Sequence, residues 1–209
     1  MERISLTDKP DTWIIPGAPS DSFSTGWFRD CLETHKTMGQ TQQDFWQKWI
    51  PKKHNIFIWR FIRNRIPTRQ CLSEMSLDIP CTLCPICDLK EEDTIHLFVD
   101  CKFARSLWTS LSQWWIVPIP DFKRSEDILT WTWFALKKYP ERDWFQVVVI
   151  ALLVTIWRVR NGVIFEKKKV DENRETRNFK ELAFFWLNSR NGKFKQELGN
   201  WILNPNCKM

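Results

Sequence analysis

The stretch CTLCPICDLKEEDTIHLFVDC occupies residues 81–101, and inside it the spacing Cys84-x2-Cys87-x8-His96-x4-Cys101 stands out. Two thiols two residues apart share one tight turn, and an imidazole and a third thiol return from the following segment. Four such donors are what tetrahedral Zn(II) requires. Pro85 stiffens the turn between the first pair, so less backbone entropy is lost when both sulfurs face one ion. His96 and Cys101 are five residues apart, about 140° around the axis of a continuous α-helix, too far to converge. A helix break between them is therefore expected, with Asp100 as N-cap and Cys101 at the start of the next helix, where the dipole favours a thiolate. With all four positions held by protein, water has no open coordination position, so the expected role is one structural zinc ion and not a catalytic one. The bland alternative is buried thiols beside a core histidine. Cys81 forms a second CxxC with Cys84, but choosing it would strand Cys87 beside the ion. Cys31, Cys71 and Cys207 have no His or acid partner at recognisable spacing.

Around this knuckle the chain reads as helix. After Asp100, the residues Ala104, Leu107, Trp108, Leu111 and Trp115 recur at helical spacing and define one buried face. Upstream, Pro51 divides residues 45–65 into a short helix and a longer one over about 53–64. Pro67 closes the latter, and Thr68 is placed to cap a brief helix over 68–76. Downstream, Ser125 is the expected cap of a helix running to about residue 136. Pro140 precedes a long buried helix over about 142–160, and a last helix is expected over about 171–190. The first 25 residues suit a short hairpin or extended arm, and residues 27–38 suit a helix ended by Gly39, with a polar linker over 40–43. The fold class is thus mainly α, a helical domain with a Cys3His zinc knuckle and a short N-terminal hairpin.

Composition agrees with this. Fourteen Trp and fifteen Phe stand against one Tyr and six Gly in 209 residues. Such a chain suits aromatic interlocking between helices and argues against an all-β barrel. Seven Cys, an odd number clustered mid-chain without a secretory signal, favour a reducing compartment and metal over disulfides. The most apolar stretch, 144–157, is interrupted by Gln146 and falls short of the roughly 18 to 20 residues a bilayer needs, so it reads as a buried helix. Neither a membrane partner nor a small-molecule substrate is expected.

The motif set resembles the reverse-transcriptase zinc-binding family, a module found downstream of the polymerase domain in plant LINE-type (non-LTR) retrotransposons. Besides the cysteines, the likeness rests on Trp13 with Phe23-Ser24, on Trp49-Ile50-Pro51-Lys52, on Phe57-Ile58-Trp59-Arg60 and on Arg65-Ile66-Pro67-Thr68-Arg69. It continues through Leu83-Cys84-Pro85-Ile86-Cys87 and His96-Leu97-Phe98 to Ile156-Trp157, Arg160-Asn161, Phe165 and the 201–205 ending. Cys81 departs from the pattern, replacing a small polar residue. The resemblance implies zinc on Cys84, Cys87, His96 and Cys101, and a module that assists nucleic-acid handling by a parent polymerase. The domain organisation it implies is an arm and helix over 1–43, the zinc-binding domain over 44–116, and a helical extension over 117–209 packed on it.

Polymerase chemistry itself is not expected of this chain. Reverse transcription needs paired aspartates holding two metal ions, and no Asp-Asp dipeptide occurs in the sequence. Glu91, Glu92 and Asp93 read as a solvated acidic turn and not as a catalytic set. No enzymatic activity is expected.

The remaining signal is charge. The net charge is +6, and from Phe45 to Ser73 there is no Asp or Glu while Lys48, Lys52, Lys53, Arg60, Arg63, Arg65 and Arg69 accumulate. Lys52, Lys53, Arg60, Arg63, Arg65 and Arg69 are the candidate contacts to RNA or DNA phosphates along one face. A merely solvated face explains the same charges, and Trp59 and Phe61 read first as core. The alternatives are a scaffold that packs on a reverse-transcriptase domain or another protein, and a fragment of a decayed element without a selected role. An intracellular location is expected, the nucleus before the cytoplasm.

Overall fold

The computed structural model describes residues 45–136 and 140–205. The expected N-terminal hairpin, the helix over 27–38, the linker, Cys31 and Cys207 lie outside the described residues. Residues from Phe45 onward belong to one compact unit. Among the described residues the architecture is helical, with seven α-helices, one π-helical turn and a lone antiparallel bridge between Leu83 and Glu91.

Helix α1 spans Lys52–Ile62, with extended Pro51 at its N-cap. The short helix expected before Pro51 is absent; residues 45–50 form an irregular turn. Proline disfavours helical geometry in its predecessor, and Gln47 is held instead by Asn55. The Gln47 N–H donates to Asn55 Oδ1 at 2.9 Å, and Asn55 Nδ2 donates to the Gln47 carbonyl at 3.0 Å. At the other end, Asn64 takes a left-handed conformation with φ 50°. Asparagine tolerates that region better than most residues, and the chain turns there towards buried Ile66. Helix α2, Arg69–Glu74, is capped as expected: Thr68 Oγ1 accepts from the Cys71 N–H.

Helix α3, Lys102–Trp115, buries the whole face read from its spacing, with Phe103 and Trp114 added. It stops at Ile116, whose φ of 55° and ψ of 47° are left-handed. Helix α4, Ser125–Ala135, begins with Ser125 inside the helix and Arg124 at the N-cap, so Ser125 is not the cap. Its hydroxyl is directed to the Ile62 carbonyl at 3.5 Å instead, tying α4 to the end of α1.

Helix α5, Glu141–Glu166, is the central post of the fold, in contact with α4, with the π-helical turn at 96–100 and with α6, Glu172–Arg190. Every residue from Phe145 to Ile156 is buried. Each fully buried aliphatic or Phe side chain among them contributes roughly 1.5 to 3 kcal/mol. The helix runs beyond the apolar stretch to 26 residues, which by length and composition is enough to cross a membrane; 67% of its most apolar window is buried inside the protein. Gln146, the interruption in the pattern, sits in a buried polar chain. It accepts from Gln47 Nε2 at 2.8 Å and donates to Thr132 Oγ1 at 3.1 Å. Asp171 caps α6 through the Arg174 N–H.

A final short helix, α7 at Leu198–Leu203, is not expected from the pattern; its burial rests on one residue, Trp201. Trp201 meets Trp114, Trp115 and Phe194 edge-on at centroid distances of 5.1 to 6.1 Å. Its indole N–H donates to the Lys180 carbonyl, and its own carbonyl accepts from the Trp114 indole at 3.1 Å. A partner of this kind offsets the cost of burying an indole N–H. This is how a tryptophan-rich composition becomes a helical core.

Candidate metal centre

The knuckle is a loop closed on itself. The Cys84 N–H donates to the Lys90 carbonyl at 2.7 Å, the Asp88 N–H to the Cys84 carbonyl at 2.8 Å, and the Glu92 N–H to the Thr82 carbonyl at 2.8 Å. Asp88 takes φ 53° at the turn. These bonds fix Cys84 and Cys87 on one side of the loop. Asp93 then accepts from the His96 N–H at 2.6 Å and starts the helical turn that carries the third donor.

The expected break after His96 takes a different form. Residues His96–Asp100 make a π-helical turn, and the Cys101 N–H bonds to the His96 carbonyl, five residues back, at 2.6 Å. The wider turn brings residues i and i+5 towards each other, which an α-helix does not. Cys101, extended at φ −56° and ψ 137°, is itself the residue at the N-cap of α3. Asp100 is not the cap; its carboxylate pairs with Arg105 at 3.0 Å.

The ligand atoms of Cys84, Cys87, His96 and Cys101 all lie within 4.8 Å of one another. Cys84 Sγ is 4.0 Å from Cys101 Sγ, and Cys87 Sγ is 3.3 Å from His96 Nε2. Four donors at ordinary Zn–S and Zn–N lengths in a tetrahedron stand about 3.5 to 3.8 Å apart, so donor set and spacing fit zinc. Cys81 is exposed and stands outside the group, and Cys71 is partly buried on α2.

Electrostatics describe a site suited to positive charge. The hydrogen bond to Cys101 and then burial push the Cys84 thiol far up, while the same bond pulls Cys101 down, helped by the backbone of Phe103 and Ala104. Burial, ahead of the opposing pull of Asp93 and Asp100, holds His96 below its ordinary value. Its ring is therefore neutral at pH 7, with a lone pair to give to a metal. A bound zinc ion would supply the charge that lets the thiolates coexist.

The acidic turn is not solvated as a whole. Glu91 and Asp93 are exposed, but Glu92 is fully buried. It meets Arg160 of α5 in a two-point pair, Nε to Oε1 at 2.7 Å and Nη2 to Oε2 at 2.8 Å. Glu92 Oε2 also accepts from the Arg69 N–H at 2.7 Å. Arg160 further contacts the Pro67 carbonyl at 3.4 Å and Asn161 Oδ1 at 3.1 Å. Sequence reading misses this lock. The available signal is an arginine one turn past an unbroken buried run, which has to find a carboxylate to be accommodated there.

The candidate cations are placed around α1. Lys52, Lys53, Arg60, Arg63 and Arg65 are exposed, and Arg69 is partly buried. Arg63 lies over the Trp59 ring at 4.4 Å, and Trp59 itself is 40% exposed, not core. Phe61 is fully buried. The Arg69 guanidinium donates to the Leu83 carbonyl at 2.8 Å, joining α2 to the knuckle.

Residues 22–108 match the family model described as zinc-binding in reverse transcriptase. No curated protein and no solved structure gives a significant match. The matched span contains all four donors and ends within α3. Over residues 22–108, less than half of the chain, the sequence is therefore similar to the zinc-binding domain of reverse transcriptases.

Proposed function

We propose that the chain is a zinc-stabilised module that associates with nucleic acid, descended from a plant LINE-type reverse transcriptase and working without a polymerase active site. One structural zinc ion on Cys84, Cys87, His96 and Cys101 pins the knuckle to the start of α3. Beyond the knuckle, Glu92 and Arg160 tie it to α5. The observation that carries the nucleic-acid reading is that α1 and the turn after it, a stretch with no Asp or Glu in its own sequence, expose Lys52, Lys53, Arg60, Arg63 and Arg65. Phosphate contacts of this kind position a polyanion without reading its sequence. RNA and DNA are both candidate partners, and the nucleus is the expected place of work.

The test is binding of RNA and DNA by the zinc-loaded chain across a salt series. Replacing Lys52, Arg60, Arg63 and Arg65 together by Gln is expected to weaken binding and to flatten its salt dependence, the slope falling by about 0.7 to 0.9 for each phosphate that is no longer neutralised. Unchanged binding contradicts the assignment.

A second reading, a docking platform for a reverse-transcriptase domain or another protein, is favoured by Phe134 and Phe165, which are 77% and 75% exposed. It predicts that Phe134→Ser and Phe165→Ser abolish capture of a partner while leaving nucleic-acid binding intact.

A further inference from the structure

Between α1 and α5 lies a cleft of about 450 Å³. Lys53 and Arg60 line it from one helix and Arg158 from the other, and no carboxylate lines it among the described residues. None of the three cations has an ion-pair partner among the described residues. Its remaining wall is largely apolar, with Phe57, Ile66 and Trp157. His54, also on the wall, is held down to about 4 by burial and then by Arg158 and Lys53. It is neutral at pH 7, and the cations' field reaches into the cleft.

Arg158 has a second position of interest. It also lines a neighbouring cleft of about 290 Å³ together with Lys168, Lys169 and Arg174. One carboxylate, Glu175, lines that cleft and is engaged by Arg174 at 3.1 Å. Arg158 is thus the shared wall between two concave, cation-lined spaces.

Polyanions differ in how they can meet such an arrangement. A duplex is a stiff rod with its bases stacked inside, and it meets cations best on an open surface. A single strand bends into a concavity, offers phosphates to the rim and an unpaired base to apolar side chains. A cleft of this size is in the range that holds a ligand as large as one nucleotide.

We propose that the two clefts form one track for single-stranded nucleic acid. An unpaired base lodges against Phe57 and Trp157, and the flanking phosphates are held by Lys53, Arg60 and Arg158. The inference rests on the nucleic-acid reading above and narrows it to unpaired strands and to a site that includes Arg158.

The experiment is fluorescence anisotropy on the zinc-loaded full chain, with a short single strand and the duplex of the same sequence as probes. Wild type is expected to favour the single strand. Arg158→Gln should weaken single-strand binding about fivefold to tenfold, with a salt slope smaller by about 0.7, and leave duplex binding within about twofold. Lys52→Gln, outside the cleft, should cost both probes alike. A strand carrying iodouridine should photocrosslink to the peptide holding Phe57 or the one holding Trp157. If Arg158→Gln binds as wild type does while the quadruple α1 variant fails, or crosslinks fall only elsewhere, the track is overturned and the broader reading stands. If wild type binds neither probe, the broader reading falls and takes the track with it.

Discussion

Arg160 and Glu92, 68 positions apart, form a two-point ion pair at 2.7 and 2.8 Å in the interior, where their side chains are 5% and 0% exposed. The pair joins the loop that carries the metal donors to the helix at the centre of the fold. Removing one partner leaves an uncompensated buried charge, which typically costs about 3 to 5 kcal/mol. Arg160→Met should therefore lower the urea midpoint sharply. Adding Glu92→Gln should recover part of the loss, and a double-variant cycle in urea measures the coupling. Additive losses would show that the pair is not the lock described.

How much of this is legible in the sequence follows from the range of each signal. The donor spacing, the buried face of α3, the Thr68 cap and the long buried helix are local patterns, each read within a few turns of chain. The π-helical turn escapes because periodicity assumes an α-helix; five residues between His96 and Cys101 say only that the helix must change. The Glu92–Arg160 lock escapes because neither residue's neighbours in sequence name its partner. Glu92 beside Glu91 and Asp93 looks like solvent-facing acid, and only tertiary packing separates the three. Helix α7 escapes because six residues held by one tryptophan carry no period.

The end of α3 offers a stabilising change. Ile116 is left-handed and 87% exposed, so its branched side chain is strained and packs on little. Glycine has no such penalty at that position. Ile116→Gly should raise stability by about 1 kcal/mol, read as an increase in the urea midpoint at unchanged m-value. A decrease would mean that the Ile116 side chain packs more favourably than the strain costs.

The aromatic hub gives the opposite sign. Trp201 is fully buried among Trp114, Trp115 and Phe194. Trp201→Ala should cost about 3 to 5 kcal/mol by thermal or urea unfolding. A loss below about 1 kcal/mol would show that α7 is detached from the core in solution.

His54 predicts a pH effect whose sign follows from its depressed value. Buried and beside Arg158 and Lys53, it protonates in the folded state only near pH 4, whereas the unfolded chain takes the proton near 6.5. Above pH 6.5 both states are neutral and His54 adds no pH dependence. As pH falls from 6.5 towards 4 the unfolded state gains the proton first, so stability declines, by about 1 to 3 kcal/mol. His54→Gln should show a shallower decline over that window than wild type does, measured by urea unfolding. Parallel curves would place His54 outside the titration.

The central claim is that the knuckle is a zinc site that holds the domain together, and metal content tests it most directly. Elemental analysis of the purified full chain should give one zinc per chain, and a Cys84→Ser, Cys101→Ser variant should lose both the zinc and the cooperative unfolding transition. A folded, metal-free wild type, or a variant that keeps its zinc, would contradict it.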